Sequence, residues 1–271
     1  FAYYLRKPVV LYNQSIGPFA WTGGVAAARR ILGNCVAVIA REEISVRLAR
    51  HLVGNKAVLA DDAAFSLPSS PCDLARHGIR PGRPRVGLTV RAWADTAEQD
   101  RYEREMAAFV SRILHADPEA RVYLMPQVIF AELGDDDRIV SRRVRSSVAA
   151  DVRARVVVVD ADLAPEELKY AIGHMDYFVG TRMHSNIFAL SSGVRVIAVA
   201  YEPKTWGIME RLGLERWTVD ARDVTCSKLW ALFERLRADE NYDTHLRQAI
   251  ARIALSNNRV SLRSLLSQFQ R

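Results

Sequence analysis

The sequence predicts an α/β protein of two domains, each built on a doubly wound parallel sheet. Three observations predict it: short apolar runs alternate with helical patterns, the runs are continuous, and prolines concentrate at one point of the chain. Continuous runs of Val, Ile, Leu and Ala indicate strands that are covered on both faces, as in parallel sheets. With 271 residues, 49% of them hydrophobic, the chain is long enough for two modest cores.

The first domain is predicted over residues 1–80. Its apolar runs and amphipathic patterns predict strands at 8–12, 35–40 and 57–59, and helices at 24–32 and 42–52. Because the chain opens at Phe1 rather than Met, we expect this domain to lack its N-terminal part.

A proline-rich linker separates the domains. It contains Pro68, Pro71, Pro81 and Pro84, and proline fixes the backbone and removes hydrogen-bond donors. The second domain, over residues 81–271, repeats the alternation. Its predicted strands are 85–90, 121–125, 156–160, 176–179 and 194–200, and its predicted helices are 96–115, 165–172, 185–190, 228–237 and 243–268. Periodicity leaves open whether the last two helices stay on this domain, cross back to the first, or pack on a partner, so a homo-oligomer is open too.

The net charge and its distribution limit the classes of binding partner. The net charge of +7 favours anionic partners, but no dense basic tract with interleaved aromatics exists, which argues against nucleic acid. No run approaches the roughly 18 apolar residues of a membrane span. Cys35, Cys72 and Cys226 fit neither a disulfide framework nor a metal site, so we expect a cytoplasmic protein. Peripheral association with the inner face of a membrane stays open.

The most informative motif is the segment 176–190. An apolar strand runs into a Gly-Thr turn, and Arg182, His184 and Ser185 then open an apolar helix. Helix N-termini carry unsatisfied N–H groups and a positive partial charge, so they hold anions. A guanidinium and a titratable imidazole add charge and a proton. The motif predicts a site for a phosphate or carboxylate that must also be protonated.

Further candidate binding residues follow the ends of other predicted strands. Arg91 follows the first strand of the second domain, and Lys204 opens the helix after strand 194–200. The carboxyl ends of parallel strands share one edge of a sheet, so we expect both side chains near the anion. In the first domain, the polar residues Asn13, Gln14 and Ser15 end a strand and are candidates for acceptor binding.

Each candidate also has a structural interpretation. Arg91 could be solvated or paired with a surface carboxylate. Ser185 could be a helix cap, and His184 a structural histidine. Asn13, Gln14 and Ser15 could only stabilise a turn.

Metal, nucleotide-loop and nucleophile motifs are missing from the sequence. It contains no His-x-x-x-His or Cys-x-x-Cys spacing, no Walker sequence and no Gly-x-Ser-x-Gly. The run Asp135-Asp136-Asp137 is interpreted as a solvated acidic turn, because consecutive side chains do not converge on an ion without a special loop. We therefore expect no metal and no cofactor.

Several segments together resemble the polysaccharide pyruvyltransferase family. They are 13–19 (NQSIGPF), 40–42 (ARE) with Ser45, 61–65 (DDAAF), 180–189 (GTRMHSNIFA) and 193–201 (GVRVIAVAY) followed by Lys204. The likeness spans roughly residues 8–215, and the Arg-x-His-Ser segment is its most specific part.

The resemblance implies a GT-B-like fold of two Rossmann-type domains that face a cleft. It also implies phosphoenolpyruvate as donor and the transfer of its enolpyruvyl carbons onto two sugar hydroxyls, with release of phosphate. By the family pattern, Arg91, Arg182, Met183 and His184 line the donor site, His184 is the general acid, and Lys204 lies nearby. The acceptor is then a cell-surface polysaccharide or a lipid-linked glycan.

Two other functions stay open at this stage. One is a GT-B glycosyltransferase or epimerase that uses a sugar nucleotide; the Arg/His pair argues against it, because a ribose-binding carboxylate is expected there. The other is a non-catalytic module that binds an anion or a glycan.

Overall fold

The computed structural model describes residues 5–19, 21–93, 96–130, 132 and 135–259, which divide into two compact units. The first unit comprises the described residues up to Ser66 together with the end of the last helix from Ala251. The second comprises the described part of residues 67–250. Residues 67–80 thus group with the second unit, whereas the predicted boundary after residue 80 assigns them to the first domain.

The first unit has a three-stranded parallel sheet. Its strands are β1 (Val10–Gln14), β2 (Ala37–Ala40) and β3 (Ala57–Leu59), in that order across the sheet, with helices α1 (Gly24–Gly33) and α2 (Glu43–Val53) between them in the chain. Val38, Val46 and Ala49 are wholly buried and join β2 to α2 in one core. Strand β1 ends two residues later than predicted, which puts Asn13 and Gln14 at its carboxyl end.

The second unit alternates strands and helices along the chain. The strands are β4 (Arg85–Thr89), β5 (Arg121–Leu124), β6 (Ile129–Phe130), β7 (Asp135–Asp136), β8 (Val156–Val158), β9 (Tyr177–Gly180), β10 (Arg195–Ala200) and β11 (Thr218–Asp220). The helices are α3 (Thr96–Ala116), α4 (Asp137–Ser147), α5 (Pro165–Ile172), α6 (Met183–Ser191), α7 (Pro203–Leu212), α8 (Cys226–Ala238) and α9 (Tyr242–Arg259). Helix α9 continues past the boundary of the unit.

Six of these strands form one parallel sheet in the order β8-β5-β4-β9-β10-β11, while β6 and β7 form a short antiparallel pair. In chain order this is the Rossmann arrangement, because the sheet grows outward in both directions from its first strand, β4. Crossovers of one hand then place helices on both faces. Leu88, Val179 and Ile197 of its central strands are wholly buried, as the continuous apolar runs predict.

The patterns missed several elements. Helix α4 was not predicted, because four arginines interrupt its narrow apolar stripe of Val140 and Val144. Strands β6, β7 and β11 are too short to give a periodic signal. The predicted helix 243–268 begins at Tyr242, and its part beyond residue 259 lies outside the described residues. None of the helices found in the described ranges is long and apolar enough to cross a bilayer.

Candidate active site

The candidate site lies at the carboxyl ends of β4 and β9, where the strand order of the sheet reverses. Thr89 and Gly180, the last residues of these strands, are paired neighbours. Arg91 and Arg182 each follow two residues later. Ligands bind at such a reversal, because the loops from the two strands diverge and leave a crevice between them.

The turn after β9 is held by the side chain of Thr89. Its hydroxyl oxygen accepts hydrogen bonds from the backbone N–H groups of Thr181 (3.0 Å) and Arg182 (3.3 Å). Glycine is required at position 180, since a Cβ there would clash with the buried Asn186, whose Cγ would lie 2.7 Å away. Asn186 also donates from Nδ2 to the carbonyl of Gly180 at 3.0 Å. These contacts fix the start of α6 against both strands.

Ser185 has a structural role at this helix start. It is wholly buried, its hydroxyl lies 2.9 Å from the hydroxyl of Thr89, and it donates to the carbonyl of Arg182 at 2.7 Å. Its backbone N–H has no acceptor within the helix and donates to Oε1 of Gln127 at 3.0 Å. These bonds account for Ser185, and its contact with a donor stays a prediction.

Arg182 is buried in an ion-pair cluster. Only 8% of the residue is exposed. Its Nη2 donates to Asp137 Oδ1 at 2.7 Å and to Asp135 Oδ1 at 2.5 Å, and its Nε donates to Asp137 Oδ2 at 3.1 Å. Burial alone would lower the pKa of this guanidinium, but the two carboxylates outweigh burial and raise it. Arg182 is therefore a permanent cation in a fixed orientation.

The interpretation of residues 135–137 as a solvated acidic turn is wrong. Asp137 is wholly buried and Asp136 nearly so. Besides pairing with Arg182, Asp137 accepts hydrogen bonds from the backbone N–H groups of Gln127 (3.2 Å) and Val128 (3.0 Å). A buried carboxylate needs such partners. The physical reason for the error is that the chief partner, Arg182, lies 45 residues away in the chain.

The first turn of α6 also carries Met183 and His184, which differ in exposure. Met183 is buried at 4%, whereas His184 is the one exposed residue between positions 181 and 190. The imidazole is thus exposed at the N-terminal turn of a helix whose residues from Ser185 to Leu190 are buried. A ligand at the carboxyl edge of the sheet can reach it.

Arg91 is held by aromatic rings. Its Cζ lies 4.0 Å from the ring centroid of Tyr201 and 5.0 Å from that of Trp93, within the range of cation–π contacts. Its Nε donates to the carbonyl of Ala92 at 2.9 Å. Arg91 forms no ion pair with any residue that the structure describes, so its charge is oriented and not neutralised.

Lys204 lies on the same aromatic ring as Arg91. It is the second residue of α7, and its Nζ lies 6.0 Å from the ring centroid of Tyr201. It also forms an ion pair with Glu202. The structure therefore brings Arg91 and Lys204 together around Tyr201, as the shared sheet edge predicts.

The predicted acceptor residues belong to the first unit. Oδ1 of Asn13 accepts from the backbone N–H of Ala63 at 3.0 Å, and the φ angle of Asn13 is 56°, at the point where the pairing of β1 with β2 becomes irregular. Ser15 accepts from Nε of Arg41 at 2.9 Å. Gln14 is exposed and donates to the carbonyl of Tyr12 at 3.3 Å. Asn13 thus ties the end of β1 to the segment after β3, and contact of any of the three with an acceptor stays a prediction.

A second family segment, residues 40–45, is also structural. Ser45 is buried, bonds to Glu42, and accepts from the backbone N–H of Ile16 at 2.7 Å. Arg41 pairs with Asp62 at 3.1 Å. The network ties the loops after β1, β2 and β3 to one another.

Sequence reasoning missed Gln127, Asp137, Trp93 and Tyr201 as parts of the site. The sequence could have indicated Trp93 and Gln127, because each follows a predicted strand closely. Trp93 lies four residues after β4, and Gln127 lies three residues after β5. Asp137 lies in the acidic run 135–137, and Tyr201 ends the family segment 193–201, so neither had been predicted to line the site. Within the described ranges, no three His, Cys, Asp or Glu side chains converge as metal ligands.

Solved structures similar to this one show the fold. Alr3699/HepE from Anabaena, solved with UDP and glucose, has a TM-score of 0.58 at 15% identity, covering 94% of this chain and 69% of that chain. An α,α-trehalose-phosphate synthase (UDP-forming) from Burkholderia vietnamiensis has 0.61 at 11%, covering 99% and 67%. A UDP-GlcNAc 2-epimerase from Neisseria meningitidis, bound to UDP-GlcNAc, has 0.58 at 11%, covering 90% and 66%. These are GT-B enzymes, so the predicted GT-B-like, Rossmann-type fold is confirmed.

Sequence comparison shows the family. The chain is 23% identical over 260 residues to the amylovoran biosynthesis protein AmsJ of Erwinia amylovora, covering 91% of this chain and 61% of that protein. The chain therefore spans less than two thirds of that relative's length. Residues 1–203 match the family model described as polysaccharide pyruvyl transferase. The resemblance that the motifs carried is confirmed, and the chain belongs to the polysaccharide pyruvyl transferase family.

Proposed function

We propose that this chain acts in a pyruvyl transferase. The enzyme moves the enolpyruvyl carbons of phosphoenolpyruvate onto two hydroxyls of a glycan, forms a pyruvate ketal and releases phosphate. One observation carries the proposal: a member of this family holds Arg91, Arg182, His184 and Lys204 at the carboxyl edge of one sheet. No cofactor is needed, because the donor itself supplies the leaving group.

The donor carries a phosphate and a carboxylate, and the site offers cations for both. Arg91 has an uncompensated guanidinium with a fork of donors. Among the described residues Arg182 bonds through Nε and Nη2, which leaves Nη1 for an anion. The N-terminus of α6 adds a positive partial charge. We assign Arg91, Arg182 and Lys204 to donor binding, together with Met183, which is buried in the first turn of α6.

His184 supplies a proton to the methylene carbon of the donor. Protonation converts this carbon to a methyl group and leaves oxocarbenium character on the adjacent carbon, which one glycan hydroxyl attacks. Attack by the second hydroxyl displaces phosphate. Of the two hydroxyl protons, one returns to the imidazole and the other leaves with phosphate, so the enzyme is regenerated. General acid catalysis of this kind contributes about 10²–10⁴-fold in rate.

The acceptor in this proposal is a polysaccharide of the cell surface or its lipid-linked precursor. Such an acceptor places the enzyme in the cytoplasm, with peripheral contact at the inner face of the membrane. The net charge of +7 supports attraction to anionic head groups.

Phosphate release from phosphoenolpyruvate with candidate glycans tests the proposal. We expect His184→Ala to lower turnover by at least about 10²-fold with an unchanged circular-dichroism spectrum. His115→Ala is the matched control, because His115 is exposed and pairs with Asp151 on the surface of the same unit. Full activity of His184→Ala would exclude the general-acid role.

A thermal-shift screen separates this proposal from a sugar-nucleotide enzyme. We expect phosphoenolpyruvate to raise the melting temperature, because a ligand that binds the native state stabilises it. Stabilisation by UDP or GDP alone would overturn the proposal in favour of a glycosyltransferase or epimerase. Binding of phosphoenolpyruvate without turnover on any glycan would indicate a non-catalytic module.

A further inference from the structure

A groove that the predicted site residues do not line lies beside Arg91 in the second unit. It has a volume of about 190 Å³. Its lining comes from three strand ends at the carboxyl edge of the sheet: Trp93 after β4, Tyr201 after β10, and Asp220 at the end of β11. The groove therefore opens on the edge that carries the proposed donor site.

Aromatic rings form one wall of this groove. Trp93 packs edge-to-face on Tyr201, with ring centroids 5.5 Å apart, and on Tyr102, with centroids 5.3 Å apart. Trp93 and Tyr201 are also the rings that hold Arg91. A ligand on this wall consequently lies next to the guanidinium that we assign to the donor.

Charged groups of both signs line the rest of the groove and form its rim. Asp220 accepts from Nε and Nη2 of Arg222, each at 3.0 Å. Arg101 donates to the carbonyls of Arg222 (2.9 Å) and Val224 (2.9 Å), which fixes the rim to α3. Hydrogen-bond acceptors and donors thus stand together on an anchored segment.

This lining suits a small neutral ligand with one apolar face and several hydroxyls. The opposed charges of Asp220 and Arg222 favour neither an anion nor a cation, but they offer acceptors and donors to hydroxyl groups. Aromatic rings bind the C–H face of a ring. The groove, at about 190 Å³, lies below the range of about 300–1,000 Å³ that is typical for drug-sized ligands, which favours a single ring over a whole sugar nucleotide.

We propose that the groove lined by Trp93, Tyr201 and Arg222 binds one pyranose ring of the acceptor glycan. The role of the bound sugar as an acceptor rests on the proposed function. The binding of a pyranose in the groove is independent of that function. The position beside Arg91 would bring hydroxyls of the bound ring towards the donor.

Fluorine NMR of the chain labelled with 5-fluorotryptophan tests the proposal without any turnover. The chain has five tryptophans, and Trp93→Phe assigns the signal of Trp93. The probes are the methyl pyranosides of glucose, galactose and mannose. We expect at least one of them to shift the Trp93 signal in a saturable way, at millimolar concentrations.

Two variants locate the bound sugar. Arg222→Ala removes charged hydrogen bonds from the rim and should weaken pyranoside binding about tenfold. Ala221→Leu fills the groove from the segment that carries the rim and should weaken binding at least as much. Arg216→Ala is the matched control, because Arg216 also pairs with an aspartate, Asp239, and packs on a tryptophan of the same unit away from the groove.

The outcomes are decisive in both directions. The proposal would be overturned if none of the pyranosides shifted the Trp93 signal, or if UDP shifted it instead. Equal pyranoside affinities of Arg222→Ala and Arg216→Ala would also overturn it. Where the chain turns over phosphoenolpyruvate, Arg222→Ala should raise the acceptor KM about tenfold and leave the donor KM unchanged. Pyranoside binding at Trp93 without any turnover of phosphoenolpyruvate would contradict the proposed function but not the proposed sugar site.

Discussion

Arg91 and Arg182 follow neighbouring strands of one sheet, yet their guanidinium groups are held in opposite ways. Arg182 is buried and shared between Asp135 and Asp137, so most of its charge is compensated within the protein. Arg91 stacks on Tyr201 and Trp93 and pairs with no carboxylate among the described residues. Carboxylates fix the orientation of an arginine and neutralise it, whereas aromatic rings fix the orientation and keep the charge. The difference suggests that Arg182 mainly builds the site and Arg91 mainly binds the ligand.

The largest expected effect comes from removing the charge of Asp137. Asp137→Asn keeps the shape of the side chain but leaves the buried Arg182 poorly compensated, and breaking a buried pair costs about 3–5 kcal/mol. We expect the free energy of unfolding in urea to fall by that amount.

Asp160→Asn is the control for this change. Asp160 also pairs with an arginine, Arg142, but both side chains are about half exposed, and exposed pairs contribute roughly 0–1 kcal/mol. Equal losses in the two variants would show that Arg182 does not depend on a buried counter-charge.

Arg91 should show the converse behaviour. Arg91→Met removes an uncompensated charge from the surface of the site and leaves no buried carboxylate behind. We expect the affinity for phosphoenolpyruvate to fall about 10–100-fold, as for a lost charged hydrogen bond, with little change in unfolding free energy. Calorimetry of binding and urea unfolding measure the two quantities. A variant that loses stability and keeps affinity would reverse the comparison between the arginines.

Much of this site could be predicted from local patterns and topology. Continuous apolar runs located β4, β9 and β10, and parallel strands share an edge, so Arg91, Arg182 and Lys204 were expected to lie at the same end. The polar contacts were not predictable in this way. Whether Asp137 is solvated or buried depends on Arg182, and a window of ten residues contains no information about a partner 45 positions away.

Short polar side chains posed the same problem. Ser185 and Asn13 have residue types and positions that suit ligand binding and backbone capping equally well. The structure shows both in backbone hydrogen bonds: Ser185 donates to the carbonyl of Arg182, and Asn13 accepts from the N–H of Ala63 after β3. Backbone groups away from water need such partners. Only the three-dimensional neighbours distinguish the two uses.

Thr89 couples the two arginine segments through hydrogen bonds, and its removal should cost less than that of Asp137. Thr89→Val keeps the volume but removes the hydroxyl that accepts from the backbone N–H of Arg182, which costs about 1–3 kcal/mol for a buried group. The N–H of Thr181 keeps its 3.2 Å bond to the carbonyl of Thr89. Urea unfolding measures the loss. Thr225→Val is the control, since Thr225 caps the exposed start of α8 through a 3.2 Å bond to the N–H of Lys228, and a smaller loss is expected there. A loss no greater than that of the control would mean that the turn before Arg182 holds without Thr89.

Replacing Tyr102 should have the smallest effect on the free energy of unfolding, but that effect should depend clearly on pH. Its hydroxyl lies 2.7 Å from Oγ1 of Thr181, at the end of β9, and its ring packs on Trp93, beyond the end of β4. Tyr102→Phe keeps the ring contact and removes the hydrogen bond, which should cost about 0.5–1.5 kcal/mol at pH 7. Burial raises the pKa of Tyr102 well above its ordinary value near 10. The native state therefore keeps this proton at a pH where the unfolded chain has lost it.

The sign of the pH dependence follows from that difference. Stability tied to Tyr102 is fully present below about pH 10 and is lost as the pH rises above it, because the native state then binds more protons than the unfolded state. Tyr102→Phe should remove this part of the alkaline loss, so the stabilities of the two proteins should converge above pH 10 in urea unfolding. Parallel curves would mean that Tyr102 does not stay protonated in the native state.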